Sequence, residues 1–278
     1  MKTRMSFSSV VWLFVGAVYF LVPLIATLLF SLKTGPNYSY SLSAWGQVIH
    51  DHEFWKTVKL SAILALESIV LSLGLLVPTA YWVHLKLPRV RTYVEFVTIL
   101  PFVVPPIILT VGLLQLFNND LHAPVWYLGR PYTFLVSAYV VLAFPYVYRS
   151  LDAGFRAIDV HTLTEAAQSL GASWRTTFFR VIIPNVRQAA LSGAFLTLAI
   201  VMGEFTIASL ALFNTFPVYI NQVNQEQPYE AASLSLLSFL ITWAAMAGLL
   251  LVGRPPRSGR RRFLFLRVAP EQAPEPVH

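Results

Sequence analysis

Residues 161–185 read HTLTEAAQSLGASWRTTFFRVIIPN, a stretch with helical periodicity that stands between two long apolar runs. Thr162 and Glu165 have the spacing of a capping box, in which a hydroxyl and a carboxylate satisfy backbone donors at the start of a helix. Gly171 stands where a residue in the left-handed conformation would end that helix. Ser173 is suited to cap a second helix directly after the turn. The stretch therefore predicts a short helix–turn–helix.

Each of the two predicted helices carries an apolar face. The first face consists of Leu163, Ala166, Ala167 and Leu170, and the second consists of Trp174, Phe178 and Val181. Pro184 follows and is expected to redirect the chain into the next apolar run. Such a surface suits the groove of a partner protein. The residues alone leave open the alternative that the helices lie flat on a membrane surface.

The remainder of the chain has the composition of a membrane protein. Of its 278 residues, 56% are hydrophobic and 12% are charged, whereas about 25% of residues in soluble domains are charged. The apolar residues form runs of roughly 20, the length that a helix needs to cross a bilayer. We expect six spans, at residues 9–32, 58–84, 95–117, 131–150, 188–212 and 230–252. The predicted fold is all-α and polytopic, with a membrane domain over residues 1–252 and the helix–turn–helix inside a loop at residues 151–187.

The distribution of charge predicts the orientation of these spans. An even number of spans places both termini on one side, together with all of the 20 lysines and arginines except Lys33, Lys56, Lys59 and Arg130. The side rich in positive charge is the cytoplasmic one. The same bias accounts for the net charge of +7, so no nucleic-acid partner is expected. We expect the first span to remain as an uncleaved anchor, and the basic tail at residues 253–278 to be disordered and to contact membrane lipid.

The third predicted span includes residues 98–112, TILPFVVPPIILTVG, in which Pro101, Pro105 and Pro106 remove backbone donors. We expect this helix to be kinked or broken. Broken backbone is tolerated at membrane depth where it lines a cavity. Pro105 and Pro106 are therefore candidates for a solute pathway, and a plain packing kink is the alternative.

Two acidic residues lie well inside predicted spans. Glu67 and Glu204 are each about 8 residues from the outer end of their span, which corresponds to roughly 12 Å of helix. Two carboxylates at matching depth would meet a cationic solute, and Gln115 is a further candidate for lining its path. The alternative is that each acid is protonated, or is hydrogen-bonded to a neighbouring Ser, Thr or Tyr, and holds the helices together.

The helix–turn–helix resembles a known family signature. The order Glu165-Ala166-Ala167, three residues, Gly171, nine residues and Val181-Ile182-Ile183-Pro184 is similar to the E-A-A-x3-G-x9-I-x-L-P sequence of ABC importer permeases. Val181 and Ile183 depart from that sequence, and both remain aliphatic. The order of spans over residues 10–252 is similar as well.

The resemblance implies a mechanism and a set of partners. In that family the loop docks into a cleft of a separate ATPase and transmits its nucleotide-driven closure to the membrane helices. The implied coupling residues are Glu165, Ala166, Ala167, Gly171 and Pro184, and Glu165 would in addition cap its own helix. The implied partners are two ABC ATPase subunits, a second permease subunit that is identical or homologous, and an external solute-binding protein. The implied location is a bacterial cytoplasmic membrane.

Two further stretches resemble the spermidine and putrescine branch of these permeases. They are MGEFTIASL at residues 202–210 and LPFVVPPIIL at residues 100–109. The resemblance implies a polyamine or another small cationic or organic solute. The pair of acids, Glu67 and Glu204, agrees with a cation.

Several sequence motifs are absent, and their absence bears on function. The sequence contains no G-x-x-x-x-G-K-[ST] phosphate-binding loop, no H-E-x-x-H, no G-x-S-x-G and no cysteine. We therefore expect ATP hydrolysis on another chain, and no catalytic residue, metal or cofactor on this one. Two other functions stay open: a secondary transporter driven by an ion gradient through Glu67 and Glu204, and a membrane scaffold without transport. The lack of an inverted repeat argues against the first of these.

Overall fold

The computed structural model describes residues 7–34, 39–118 and 132–252, and most of these residues are in helices. The long helices are α1 (Phe7–Ser31), α3 (His52–Leu85), α4 (Arg91–Val103), α5 (Pro106–Asn118), α6 (Thr133–Arg156), α9 (Ile183–Gly203) and α12 (Pro228–Val252). The shorter helices are α2 (Ser43–His50), α7 (Val160–Ser169), α8 (Trp174–Thr176), α10 (Thr206–Leu210) and α11 (Phe216–Glu226). A 3₁₀ turn (Pro88–Val90) precedes α4, a π-helical turn (Thr177–Ile182) joins α8 to α9, and two-residue strands β1 (Lys33–Thr34) and β2 (Ser39–Tyr40) pair antiparallel.

The described helices agree with a six-span membrane protein. Five are long and apolar enough to cross a bilayer: Val10–Ser31, His52–Leu85, Thr133–Arg156, Trp174–Gly203 and Pro228–Leu251. A sixth span is formed if the bent pair Pro88–Val103 and Pro106–Gln115 crosses as one unit. The all-α polytopic fold predicted from the sequence is therefore confirmed. The predicted basic tail at residues 253–278 lies outside the described residues.

The third span is broken at Pro105 and Pro106, as its sequence predicts, whereas Pro101 lies inside α4 and does not end that helix. Its two halves meet at an angle of 98°. Val104, between them, has an extended backbone with ψ of 116°, because the ring of Pro105 disfavours the helical conformation of the residue before it. Pro106 then begins α5, where a missing N–H costs no hydrogen bond.

Helices α3, α6 and α9 form the centre of the bundle. Every fourth residue of α6 is completely or almost completely buried along one stripe, at Leu135, Tyr139, Ala143, Val147 and Leu151. Glycines allow α9 to approach this helix closely: a Cβ atom on Gly193 would lie 3.3 Å from Cα of Val147, and one on Gly154 would overlap Cβ of Ala189. The close contact of α6 and α9 therefore depends on small side chains.

Helix α1 lies outside this centre and packs along α12. Within the part of the chain that the structure describes, none of its most apolar window is buried, and Trp12 and Tyr19 are largely exposed. The Trp45 indole on α2 donates a 3.1 Å hydrogen bond to Ser31 Oγ, which fixes the end of α1. The apolar surface of α1 is thus presented to lipid or to another membrane subunit.

Candidate functional site

The residues at 160–182, which we call the elbow, connect the long helices α6 and α9. The elbow begins with α7, whose N-cap is Asp159. The carboxylate of Asp159 accepts hydrogen bonds from Thr162 Oγ1 at 2.7 Å and from Thr162 N at 3.0 Å, and these bonds lower its pKa. The predicted capping box of Thr162 and Glu165 is therefore wrong. Asp159 supplies the acceptor one turn earlier, so the helix already includes Thr162.

The turn after α7 has the geometry predicted from the sequence. Gly171 has a φ of +80°, a conformation that costs other residues roughly 1 kcal/mol. Its N–H donates to the carbonyl of Gln168 at 2.8 Å, and the N–H of Ala172 donates to the carbonyl of Ala167 at 3.0 Å. These two bonds define a Schellman motif. Ser173 Oγ then accepts from Thr176 N at 3.3 Å, which confirms it as the cap of the second helix.

The expected change of direction at Pro184 does not occur. The chain runs as one helical segment from Trp174 to Gly203. The preceding π-helical turn accommodates the proline: the N–H of Ile183 donates to the carbonyl of Phe178, five residues back, and the wider turn makes room for the proline ring. Asn185 Nδ2 donates to the carbonyl of Val181 at 2.7 Å and satisfies an acceptor in this region.

The exposed side of α7 differs from the predicted apolar face. Ala167 is buried and Leu163 half-buried, as expected for such a face, but Ala166 is exposed and Leu170 is 88% exposed. The first predicted face is therefore wrong for two of its four residues. The exposed surface of α7 includes Glu165, Ala166 and Leu170.

Glu165 makes no hydrogen bond or ion pair with any residue that the structure describes. The role of capping its own helix, which the sequence suggested, belongs to Asp159. Its carboxylate is exposed on the surface of α7 and is available to another molecule.

The inner side of the elbow is attached to the membrane helices through aromatic rings. Phe178 lies with its ring centroid 5.2 Å from that of Tyr81 on α3, and Trp174 stacks on Phe178 at 5.5 Å. Trp174 also stacks on Trp82 at 5.8 Å. Val160 and Phe178 belong to one buried cluster with residues of α3 and α6. The elbow is therefore packed directly against the ends of α3 and α6.

A cluster of charges beside the elbow joins three helices, and the sequence analysis missed it. Asp152 on α6 has oxygens 2.9 Å from His84 Nε2, 2.7 Å from Arg91 Nη2 and 2.8 Å from Arg156 Nη2. Glu95 lies 3.2 Å from both Arg91 and Arg156. The only sequence signal for it is local, the spacing of four residues within the pairs Arg91–Glu95 and Asp152–Arg156. The cluster ties α4, the first half of the broken span, to α3 and α6.

The predicted pathway residues are spread over several elements. Pro105 and Pro106 lie at the break between α4 and α5, and Gln115 is exposed near the end of α5. Glu67 is half-buried on α3. Glu204 is buried directly after α9, where its carboxylate accepts from Ile207 N at 2.9 Å and from Ala208 N at 3.3 Å. It thus caps α10, a role that the sequence did not indicate.

Comparison with known proteins gives the family. The model of the family described as "Binding-protein-dependent transport system inner membrane component" matches residues 76–254. This chain belongs to that family. The permease is accordingly a component of an ABC importer and a multi-pass protein of the inner membrane.

Individual relatives support the same assignment. The permease is 30% identical over 207 residues to the molybdenum transport system permease protein of Azotobacter vinelandii, an alignment that covers 67% of this chain and 90% of the relative. It is 25% identical over 206 residues to the putrescine transport system permease protein of Escherichia coli, covering 72% and 73%. These relatives are transport permeases rather than enzymes. Because one is named for molybdenum and one for putrescine, they do not single out the polyamine branch.

The fold is found in a crystal structure of a bacterial ABC transporter involved in the import of the acidic polysaccharide alginate. The TM-score is 0.66, and the match covers 89% of the permease and 93% of that chain. At 15% sequence identity this likeness concerns the fold alone.

Proposed function

We propose that this permease forms half of a solute pathway and is driven by a separate ATPase that binds the elbow. The observation that carries the proposal is the exposed surface of Glu165, Ala166 and Leu170 on a helix whose other side is buried. An exposed leucine beside a small alanine allows close approach of a partner, and the unpaired carboxylate of Glu165 offers a charged contact.

The attachment of the elbow supports a role in transmission rather than docking alone. Tyr81, Phe178 and Trp174 form a continuous series of ring contacts from the elbow to the end of α3. Packed interiors transmit displacement because they have few voids. A partner that moved the elbow would therefore also move α3 and α6, and through Asp152 it would move α4.

The partners follow from this arrangement. One six-span chain supplies half of a pathway, so we propose a second permease subunit, two ATPase subunits and an external solute-binding protein. We place the elbow and both termini in the cytoplasm, because the basic residues cluster on that side. The exposed apolar surface of α1 agrees with a contact between permease subunits within the membrane.

We propose that the broken span lines the pathway at its bend, where Pro105 and Pro106 lie, with Gln115 and Glu67 as further lining residues. The solute is a small molecule. A polyamine is the specific candidate from the sequence, and Glu67 and Glu204 are the acids that would meet it. Glu204 is the weaker candidate of the two for binding a cation, because its carboxylate already accepts hydrogen bonds from backbone N–H groups of α10.

Uptake into proteoliposomes tests the proposal. The permease is reconstituted with the proteins that co-purify with it, and solute accumulation is measured with internal ATP, with an ion gradient alone, or with neither. We expect accumulation with ATP only. Accumulation driven by the gradient alone would identify a secondary transporter, and no accumulation under any condition would favour a scaffold.

The Glu165→Gln variant tests the elbow within the same assay. We expect uptake to fall by roughly tenfold, which corresponds to about 1.4 kcal/mol of lost contact, while ATP hydrolysis continues. Glu226→Gln is the matched control, because Glu226 is an exposed glutamate on α11, away from the elbow. Equal uptake by both variants would contradict the role of Glu165.

A further inference from the structure

A cleft of about 620 Å³ opens between α4, α6 and α9, away from the elbow surface. Its walls are mainly apolar side chains, with Ile99 and Phe102 from α4, Tyr146 from α6 and Leu196 from α9. The rings of Phe102 and Tyr146 meet edge to face at 5.0 Å. Ile99, Phe102 and Leu196 are each more than one third exposed, so the cleft is an open apolar groove within the membrane region.

One end of this groove is charged. A second cavity of about 300 Å³ shares Ile99 and Arg149 with it and is lined in addition by Glu95, Asp152 and Arg156. The two cavities thus form a single amphipathic groove, which has an apolar length and a polar end.

Among the described residues, the polar end contains one cation without a hydrogen bond or ion pair. Asp152 and Glu95 are matched by Arg91 and Arg156 in ion pairs of 2.7–3.2 Å. Arg149 makes no hydrogen bond or ion pair within the described chain. Ser150, its neighbour in the groove, already donates to the carbonyl of Ala189 at 2.7 Å. The free binding capacity of the polar end is therefore the guanidinium of Arg149.

Arg149 lies where α6 changes from apolar to charged residues. It is seven residues before the end of α6, or about 10 Å of helix, a distance that a long arginine side chain partly covers. Toward the C-terminal end of α6 the chain continues into the charged cluster around Asp152, and toward the N-terminal end α6 carries no charged residue before Arg149. A groove with this division presents a cation to a phosphate and an apolar wall to a hydrocarbon chain.

We propose that this groove binds an anionic phospholipid, with its phosphate on Arg149 and an acyl chain along Ile99, Phe102 and Leu196. A small inorganic anion would use Arg149 alone and would leave the apolar length of the groove uncovered. A zwitterionic lipid would place its own cation beside Arg149 and Arg156, and the nearby carboxylates of Asp152 and Glu95 are already paired with arginines. An anionic phospholipid satisfies both parts of the groove, since its phosphate pairs with Arg149 and its acyl chain covers the apolar wall.

The test compares lipids on the purified complex. The permease is isolated with its co-purifying subunits in mild detergent, phosphatidylglycerol, phosphatidylcholine or inorganic phosphate is added, and binding is followed by thermal stability and native mass spectrometry. We expect phosphatidylglycerol to be retained and to stabilise the complex more than the other two additives. Arg149→Gln should weaken its binding about fivefold, the effect of one basic residue near a membrane surface.

Two further variants test whether lipid binding depends on this groove rather than on surface charge in general. Arg89→Gln removes the same charge from an exposed position outside the groove, and it should leave phosphatidylglycerol binding unchanged. Phe102→Ser alters the apolar wall and should weaken lipid binding although Arg149 is intact. Equal weakening by Arg149→Gln and Arg89→Gln would overturn the proposal. Equal stabilisation by inorganic phosphate would also overturn it, because it would identify a small-anion site. So would a cross-link from a photoreactive residue placed at position 102 to another subunit of the complex, because a subunit would then fill the groove.

Discussion

Thr164 on α7 and Tyr81 on α3 are 83 residues apart in sequence, and their hydroxyl oxygens lie 3.4 Å apart in a buried contact. The contact lies at the edge of an apolar cluster that includes Phe155, Val160 and Phe178. It is a polar link between the elbow and a membrane helix, in surroundings from which water is excluded. The position of the elbow against α3 therefore depends on one pair of hydroxyl groups as well as on ring packing.

We predict that Tyr81→Phe loosens the elbow without unfolding the permease. The variant keeps the ring that packs on Phe178 and removes only the hydroxyl, so the loss should be about 1 kcal/mol. Hydrogen exchange of the α7 amides should become faster by roughly fivefold, while exchange in α6 stays the same. Tyr19→Phe is the control, because Tyr19 is 84% exposed on α1. Unchanged exchange in α7 would show that the hydroxyl pair contributes nothing to its attachment.

The pH dependence of α7 should follow Asp159. Hydrogen bonds from Thr162 hold the pKa of this carboxyl below its usual range. The cap therefore contributes fully above the pKa of the unfolded chain, near about 3.9, and its contribution is lost as the pH falls through the lowered pKa. We expect the amide of Thr162 to lose protection from exchange only in that acidic range. Asp159→Asn, which retains an acceptor but does not titrate, should remove this pH dependence.

The close contact of α6 and α9 leads to a prediction about paired substitutions. A Cβ atom on Gly154 would overlap that of Ala189, so Gly154→Ala should destabilise the permease by about 1–3 kcal/mol through overpacking. Adding Ala189→Gly removes the overlapping atom and should restore most of this loss. Thermal inactivation in detergent measures both.

Gly74→Ala provides the control for that pair. Gly74 lies on α3 with no heavy atom within 4 Å of the position of a Cβ, and the substitution should be neutral or stabilising by up to about 1 kcal/mol. If the double variant were no more stable than Gly154→Ala alone, contact with Ala189 would not be the cause.

Features that depend on a few neighbouring residues could be predicted from the sequence. The left-handed turn at Gly171, the cap at Ser173 and the break before Pro106 each follow from the backbone preference of one residue. The start of α7 could not be settled in this way, because Asp159 and Thr162 both favour cap positions. The structure shows the carboxylate of Asp159 accepting from both donors of Thr162.

Features that depend on contacts between distant helices could not be predicted. Asp152 joins His84 and Arg91, which are 68 and 61 residues away in sequence, and no local pattern relates these positions. The continuation through Pro184 was missed for a different reason. A proline ring clashes with the preceding turn of a regular α-helix, and the π-helical turn at Thr177–Ile182 provides the space that the ring of Pro184 needs.

The buried acid Glu204 gives a prediction that separates two roles. Glu204→Gln removes the charge and turns an amide group toward the N–H groups of Ile207 and Ala208. If capping of α10 is the role of Glu204, the variant should lose about 1 kcal/mol of stability and should affect the uptake of every solute equally. If Glu204 lies on the path of a polyamine, the KM for spermidine should rise while stability is kept. Unchanged kinetics and unchanged stability would remove both roles.

The Asp152 cluster should be the most sensitive polar site outside the elbow. The Asp152 side chain is 12% exposed and faces two guanidinium groups. Hydrogen bonds to charged groups contribute about 1.5–3 kcal/mol each to stability. Arg156 is 56% exposed, so solvent reduces the contribution of its ion pair with Asp152 to stability. We therefore expect Asp152→Asn to lower the free energy of unfolding by roughly 2 kcal/mol, measured by thermal or denaturant unfolding. The exposed pair of Lys56 and Glu53 supplies the control, since Glu53→Gln should cost about 0–1 kcal/mol. Because Asp152 also ties α4 to α6, its variant should lower the uptake obtained per ATP hydrolysed, whereas Glu53→Gln should not. If Asp152→Asn lowers stability but leaves the ratio of uptake to ATP hydrolysis unchanged, the cluster stabilises the fold and takes no part in moving the broken span.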